Sequence, residues 1–147
     1  KLEFQVKKIG TQGVQVLAEA FCKGAFSICQ ELNLRGTDMG NEGMRALAEA
    51  AGNGELESLR HLFFDSNSIG DEGMRVFAEA LSKGAMQNCQ SLNFSKNKIG
   101  SLGMQALVEA FGRGSLSSCK LLHLESNNIG TDSLVLLARC LLDGALQ

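Results

Sequence analysis

Two hydrophobic periods take turns along this chain. In Leu92-Asn93-Phe94-Ser95 apolar and polar residues alternate, which suits a short strand with one buried face. Beyond Gly100 the spacing lengthens: Met104, Leu107, Val108 and Phe111 fall at i, i+3, i+4 and i+7 and make one apolar stripe on a helix. The same stripe returns as Val14, Leu17, Ala18 and Phe21, and again as Met74, Phe77, Ala78 and Leu81. Thr11, Asn41, Asp71, Ser101 and Thr131 stand where these helices begin, and each can accept a bond from a free N–H at a helix start. Gly24, Gly54, Gly84, Gly114 and Gly144 stand where a helix needs a left-handed residue to stop. Each unit therefore reads as strand, turn, capped helix and glycine stop.

The unit repeats at a fixed interval. Gly10, Gly40, Gly70, Gly100 and Gly130 are 30 residues apart, and Gly13, Gly43, Gly73 and Gly103 follow three residues later, with Ser133 completing that column. Together with the helix stops, 14 of the 17 glycines share one phase, which marks a repeat array. Ile9, Met39, Ile69, Ile99 and Ile129 form an apolar column, as do Leu2, Leu32, Leu62, Leu92 and Leu122. The expected boundaries are 1–28, 29–58, 59–88, 89–118 and 119–147, all within one array spanning 1–147. A single strand and helix cannot bury both apolar faces, so the units must stack into a parallel sheet covered by a helix layer. The small column Ala20, Ala50, Ala80, Ala110 and Cys140 lets neighbouring helices approach. Helices are about 10 Å wide and strands about 4.8 Å, so the stack bends with its sheet on the inside.

The run Cys89-x-x-Leu92-x-Phe94-x-x-Asn97-x-Ile99-Gly100-x-x-Gly103-Met104-x-x-Leu107-Val108-Glu109-Ala110 resembles a leucine-rich repeat. It is most similar to the ribonuclease-inhibitor-like subclass, in which a full α-helix follows each LxxLxLxxN segment. The resemblance extends over the whole chain and implies an α/β horseshoe, a solenoid with a concave parallel β-sheet and convex α-helices. The family includes ribonuclease inhibitors, activators of the small GTPase Ran and the sensing domains of NOD-like receptors. What these share is the binding of another macromolecule on the concave sheet and its adjoining loops. The resemblance also implies that Asn67, Asn97 and Asn127 bond the backbone of neighbouring turns. Lys7 and Thr37 replace that asparagine in the first two copies, so looser turns are expected there. The array starts and stops inside a repeat without a polar capping unit, so the chain is expected to be a segment of a longer array or multidomain protein.

Other chemistry is sparse. Cys29, Cys89 and Cys119 occupy the first apolar position of their repeats, where Leu59 sits in the third copy, and read as buried, reduced thiols of a cytoplasmic protein. Cys22 and Cys140 have no regular partners. No Cys/His spacing resembles a zinc site, and His61 and His123 lie two strands apart, about 10 Å. The recurrent Gly-x-x-Gly lacks the lysine of a phosphate cradle and reads as close packing with a tight turn. Asn93-Phe94-Ser95 matches a glycosylation sequon by accident of the repeat. No nucleophile, base and orienting group come together, so neither catalysis nor a cofactor nor a bound metal is expected.

Function is expected where the frame varies. The outward strand columns read Lys1, Glu31, His61, Ser91, Leu121; Glu3, Asn33, Phe63, Asn93, His123; and Gln5, Arg35, Asp65, Ser95, Glu125. A tolerant solvated face would look similar. The sharper expectation is a protein-binding surface made by Glu31, Asn33, Arg35, His61, Phe63, Asp65, Asn93, Ser95, His123 and Glu125, with Phe63 as its apolar anchor. Arg35 and Asp65 fall on neighbouring strands and are expected to pair as an exposed, weak ion pair. The fifth helix is apolar nearly all round, with Val135 and Leu142 at positions that are polar or small elsewhere; it is expected to contact further repeats, another domain or a second copy.

Composition narrows the classes further. The chain has 147 residues, 44% apolar, with no Pro, which excludes collagen and argues against disorder. A net charge of −2 offers no general attraction for nucleic acid or acidic membrane. The sequence thus favours a non-catalytic protein-interaction scaffold. The resemblance leaves a GTPase regulator of the Ran-activator type, or a ligand-sensing receptor domain, as alternatives. Three glycines fall out of phase. Gly36 is expected to widen the concave face beside Arg35; Gly52, next to Ala51, marks the second helix as the weakest packed, and Gly112 stands alone.

Overall fold

The computed structural model describes residues 1–3 and 9–144, apart from the side chain of Glu3. Gln5 and Lys7, assigned above to a ladder and a turn, lie outside the described residues. The elements alternate along the chain. They run β1 (Leu2–Glu3), α1 (Gly10–Cys22), β2 (Glu31–Asn33), α2 (Gly40–Gly52), β3 (His61–Phe63), α3 (Asp71–Ser82), β4 (Ser91–Asn93), α4 (Ser101–Gly112), β5 (Leu121–His123) and α5 (Thr131–Leu142). The strands form one parallel sheet in chain order. Its register is set by the 30-residue period: Leu32 faces Leu62, Leu62 faces Leu92, and Leu92 faces Leu122. The regular strands are only three residues long from β2 on, but backbone bonds continue past them, as from Leu34 N to Phe63 O (2.9 Å) and Gly36 N to Asp65 O (3.0 Å).

Alternation decides what the sheet buries. Leu32, Leu34, Leu62, Phe64, Leu92 and Phe94 are at most 1% exposed, whereas Asn33, Phe63 and Asn93 between them are half-buried on the other face. The buried side meets the helix stripes. Phe77 of α3 stacks against Phe64 and Phe94 with ring centroids 6.3 and 5.4 Å away, in edge-on geometry that aromatic quadrupoles favour. Leu47 and Leu107 continue this row in α2 and α4, each at most 1% exposed.

The asparagines hold the turns together. Asn97 Oδ1 accepts from the N–H groups of Asn67 and Ile69 (both 3.0 Å), and its Nδ2 donates to the carbonyls of Phe64 (3.0 Å) and Phe94 (2.9 Å). Asn67 makes the equivalent bonds to Thr37 N, Leu34 O and Phe64 O. The turn at Thr37 is not loose. Thr37 is fully buried, and its hydroxyl donates to Leu34 O (2.9 Å), replacing the bond an asparagine would make within the turn. Gly36 (φ +64°) lies in the turn after β2, where Ser66, Lys96 and Ser126 also adopt left-handed φ of 55–61°. It therefore serves the turn and not the breadth of the strand face.

Helix ends differ in their fidelity to expectation. Gly24, Gly54, Gly84, Gly114 and Gly144 adopt φ between +78° and +92° and end the helices as expected. The starts are capped in another way. No helix takes a side-chain cap from its own first turn. Instead Asn41 Oδ1, at the start of α2, accepts from Gly70 N (2.7 Å) and Gly73 N (3.2 Å) beside α3. Asp71 Oδ1 in α3 likewise accepts from Gly100 N (2.6 Å) and Gly103 N (2.9 Å) beside α4. The second glycine column makes room for this. A Cβ on Gly103 would stand 2.7 Å from Asp71 Oδ1 and 3.0 Å from its Cα. The Gly-x-x-Gly motif is close packing: at Gly73 and Gly103 it admits the neighbouring repeat's capping oxygen, and at Gly13 and Gly43 it lies against Ile9 and Met39 of its own repeat.

The second helix is not the weakest packed. Met44, Leu47, Ala48, Ala50 and Ala51 of α2 are all buried, whereas α5 buries only Ser133 among its residues. Leu134, Val135, Leu136, Leu141 and Leu142 of α5 remain 41–86% exposed.

Candidate functional site

The three outward rows meet on the concave sheet, where strand register places their members side by side. Glu31, His61, Ser91 and Leu121 form one row, and Asn33, Phe63, Asn93 and His123 the next. Arg35, Asp65, Ser95 and Glu125 follow immediately beyond the strands, aligned by the backbone bonds that extend the sheet. The structure thus brings all ten candidate residues onto one surface.

Many of these side chains are already bound to one another. Asn33 Oδ1 accepts from Arg35 N (3.1 Å) and Asn93 Oδ1 from Ser95 N (2.9 Å), so each asparagine turns back onto its own strand end. Both flank Phe63, which is half-buried. Lys1 Nζ lies 3.1 Å from Glu31.

The Arg35–Asp65 pair forms, but it is not an exposed pair. Arg35 Nε is 2.9 Å from Asp65 Oδ2, and the side chains are 60% and 8% accessible. The carboxylate sits low in the sheet with the guanidinium above it, because the strand order puts Arg35 at the neighbouring position of the same row. With 8% of its side chain accessible, Asp65 depends on Arg35 more than a solvated partner would.

At the far end of the row, Ser95 Oγ donates to Glu125 Oε2 (2.5 Å), and His123 Nδ1 lies 3.3 Å from Glu125 Oε1. The hydrogen bond from Ser95 above all, with contributions from Glu125's own backbone and from His123, holds the Glu125 carboxyl at about 2, well below the ordinary carboxylate range. Glu125 is therefore an anion at any physiological pH. Sequence pattern had placed Ser95, His123 and Glu125 on adjacent columns, but nothing in their spacing signalled that they bond. The order puts the carboxylate between hydroxyl and imidazole, so the imidazole meets Glu125 and not the serine.

Metal and thiol chemistry stay apart from this surface. Among the described residues no group of three or more His, Cys, Asp or Glu side chains could hold a metal ion. The cysteines are free thiols. Cys89 is buried at the repeat seam, its Sγ donating to Ser91 O (3.6 Å), and desolvation pushes its thiol up to about 12. Cys29 makes the equivalent bond to Glu31 O (3.1 Å). Grooves of about 520 and 590 Å³ do occur, but on the convex side, between α1 and α2 and between α4 and α5. The first follows from the small residues there, Ala18, Ala46 and Ala50, and is rimmed by charged side chains such as Glu19, Lys23, Arg45 and Glu49; both open to solvent. No described helix is long and apolar enough to cross a membrane.

A family profile described as leucine-rich repeat matches residues 30–48, 55–78 and 87–108, the second, third and fourth units of the stack. The chain is a leucine-rich-repeat protein. Its α/β solenoid is similar to a solved structure titled Leiomodin-1 Actin-Binding Site 2, with a TM-score of 0.70 and 20% identity over 84% of this chain and 69% of that one. At that identity the likeness speaks to the fold alone. No curated protein matches the chain.

Proposed function

We propose that this leucine-rich-repeat array is a non-catalytic scaffold that binds another protein on its concave sheet. Phe63 carries the reading: a large apolar side chain held half-open between Asn33 and Asn93, whose oxygens are already engaged. An apolar centre with a polar rim is the anatomy of a protein interface. The rim residues Glu31, Arg35, His61, Asp65, Ser95, His123 and Glu125 would set specificity, and those that are internally bonded lose little side-chain freedom on binding. We assign the units to the ribonuclease-inhibitor-like subclass, supported by the helices of 12 or 13 residues that follow each strand. Free thiols throughout suit a reducing, cytoplasmic setting.

Photocrosslinking tests the concave assignment. A benzophenone side chain is placed at Asn93 on the concave face, or at exposed Gln105 on α4, and each protein is irradiated in cell extract. Protein adducts from the Asn93 position that Phe63→Ala removes are expected. Adducts confined to the Gln105 position would overturn the reading.

A further inference from the structure

We propose that the concave face receives an extended protein segment lying across the strands, carrying opposite charges four residues apart with an apolar residue between them. The acidic end would meet Arg35, the apolar residue would cover Phe63, and the basic end would meet Glu125. The inference rests on the concave-face reading above and adds the chemistry of the partner.

The charge layout of one row supports it. Arg35, Asp65, Ser95 and Glu125 stand just beyond the ends of four consecutive strands, and on paper their charges run positive, negative, neutral, negative. Burial changes what a partner meets. Asp65 lies beneath Arg35, with 8% of its side chain accessible against 60% for the arginine, so the charged group a partner can reach at the β2 end is the guanidinium, partly offset by the carboxylate below it. Glu125 is 68% accessible, fixed by Ser95 and His123, and among the described residues no Lys or Arg pairs with it, so the β5 end presents an anion. The row is therefore bipolar. Phe63, in the adjoining row on β3, lies between the two ends.

Distance selects the segment. Three strand spacings of about 4.8 Å separate the two ends by about 14 Å. An extended chain advances about 3.4 Å per residue, so residues i and i+4 are also about 14 Å apart, and i, i+2 and i+4 project from the same side. Residue i+2 then falls about 7 Å along, between β3 and β4, within reach of Phe63. A helical segment covers only about 6 Å in four residues and cannot reach both charges. Either chain direction satisfies the order, since it is the opposition of the end charges that matters.

Isotope-labelled protein is titrated with short peptides carrying Glu, Leu and Lys at alternate positions, and with counterparts carrying two Glu or two Lys around the Leu. Amide shifts at Asn33, Phe63 and Asn93 report binding at the site. The mixed-charge peptide is expected to bind roughly fivefold tighter than either like-charge peptide, the scale of one exposed ion pair. Arg35→Glu should move the preference to the two-Lys peptide, and Glu125→Lys to the two-Glu peptide. Binding that Phe63→Ala abolishes but that ignores peptide charge would overturn the bipolar segment and leave the concave scaffold standing. Absence of binding by any of the peptides, or binding whose charge ranking survives both reversals, also overturns the segment; the crosslinking result then judges the scaffold separately.

Discussion

Asp71→Ala tests whether one repeat caps the next. In the native chain Asp71 Oδ1 accepts from Gly100 N at 2.6 Å and Gly103 N at 2.9 Å, both at the start of α4. Losing an oxygen cap costs about 1 kcal/mol, and losing a negative charge beside a helix start costs a further 0.3–1 kcal/mol or so. The expected loss is therefore about 1.5–2 kcal/mol, which for a chain of this size lowers Tm by roughly 3–8 °C. Asp71→Asn keeps an acceptor oxygen in the same place, as Asn41 does one repeat earlier, and should recover all but the charge contribution.

Asp71 also stands in the first turn of its own helix, so a global melting curve cannot separate the two roles. Amide hydrogen exchange can. If the cap acts across the seam, Asp71→Ala accelerates exchange at Gly100 and Gly103 more than at the first amides of α3. Destabilisation below about 0.5 kcal/mol, or faster exchange confined to α3, would show that the contact across the seam does not matter.

Four other outcomes follow from the same geometry. Gly103→Ala would push a Cβ to 2.7 Å from Asp71 Oδ1 and should cost about 1–3 kcal/mol, whereas Gly52→Ala, with nothing within 4 Å and ordinary helical φ, should stabilise by about 0.5–1 kcal/mol; urea melts of the two check the signs. Asn97→Ala strips partners from buried N–H and C=O groups in two turns, its own and that of the preceding repeat, and should cost at least about 3 kcal/mol by the same assay, a value under 1 refuting the turn-ladder role. The Glu72 carboxyl, hydrogen-bonded first by Arg75 and then by Arg45, is held at about 2; the clasp between α2 and α3 should thus contribute at and above pH 4.5 and fade as pH falls towards 2, with carboxyl NMR midpoints near 4.5 counting against it. Amides of α5, which buries only Ser133, should exchange before those of α2, α3 and α4; equal protection would remove the ranking.

How much of this was legible in the sequence depended on whether a contact is local. Leu32, Leu62 and Leu92 declare both strand and register, because a column at a fixed period has one way to align. The helix stops at Gly24 through Gly144 were equally plain, since only the local backbone decides them. Thr37 misled: it lacks an amide, yet its hydroxyl reaches Leu34 O and closes the turn, so the expected looseness does not appear. Asp65 misled in the other direction, because its burial beneath Arg35 depends on contacts across the stack that a single column does not show. Gly52 and Ala51 suggested a weak second helix, but Ala51 is 1% exposed and its neighbours fill the seam. The weak helix is the fifth. Its apolar residues were read correctly as uncommon for a surface, and what the sequence lacked was any measure of how little of them the fourth helix covers.

The capping residues explain why two strong sequence signals were read as separate. A polar residue at a helix start ordinarily serves that helix, because its first free N–H groups lie two or three residues away. In a stack the start of the next helix is just as near, and it is 29–32 residues away in sequence. The glycine column and the capping column are thus two halves of one contact, since Gly73 and Gly103 leave the space that Asn41 and Asp71 occupy. At the last seam Ser133 stands in place of that glycine and Ser101 offers a shorter side chain, in the place where packing is poorest. The concave face follows the same rule, with Arg35 bonded to Asp65 and Ser95 to Glu125 across neighbouring repeats. The second repeat thus orders both the helix start and an outward side chain of the third, and the seams that follow carry one or the other of these contacts. A nearest-neighbour coupling of this kind stabilises the stack seam by seam and, on the same contacts, presents any partner with side chains whose positions are already fixed.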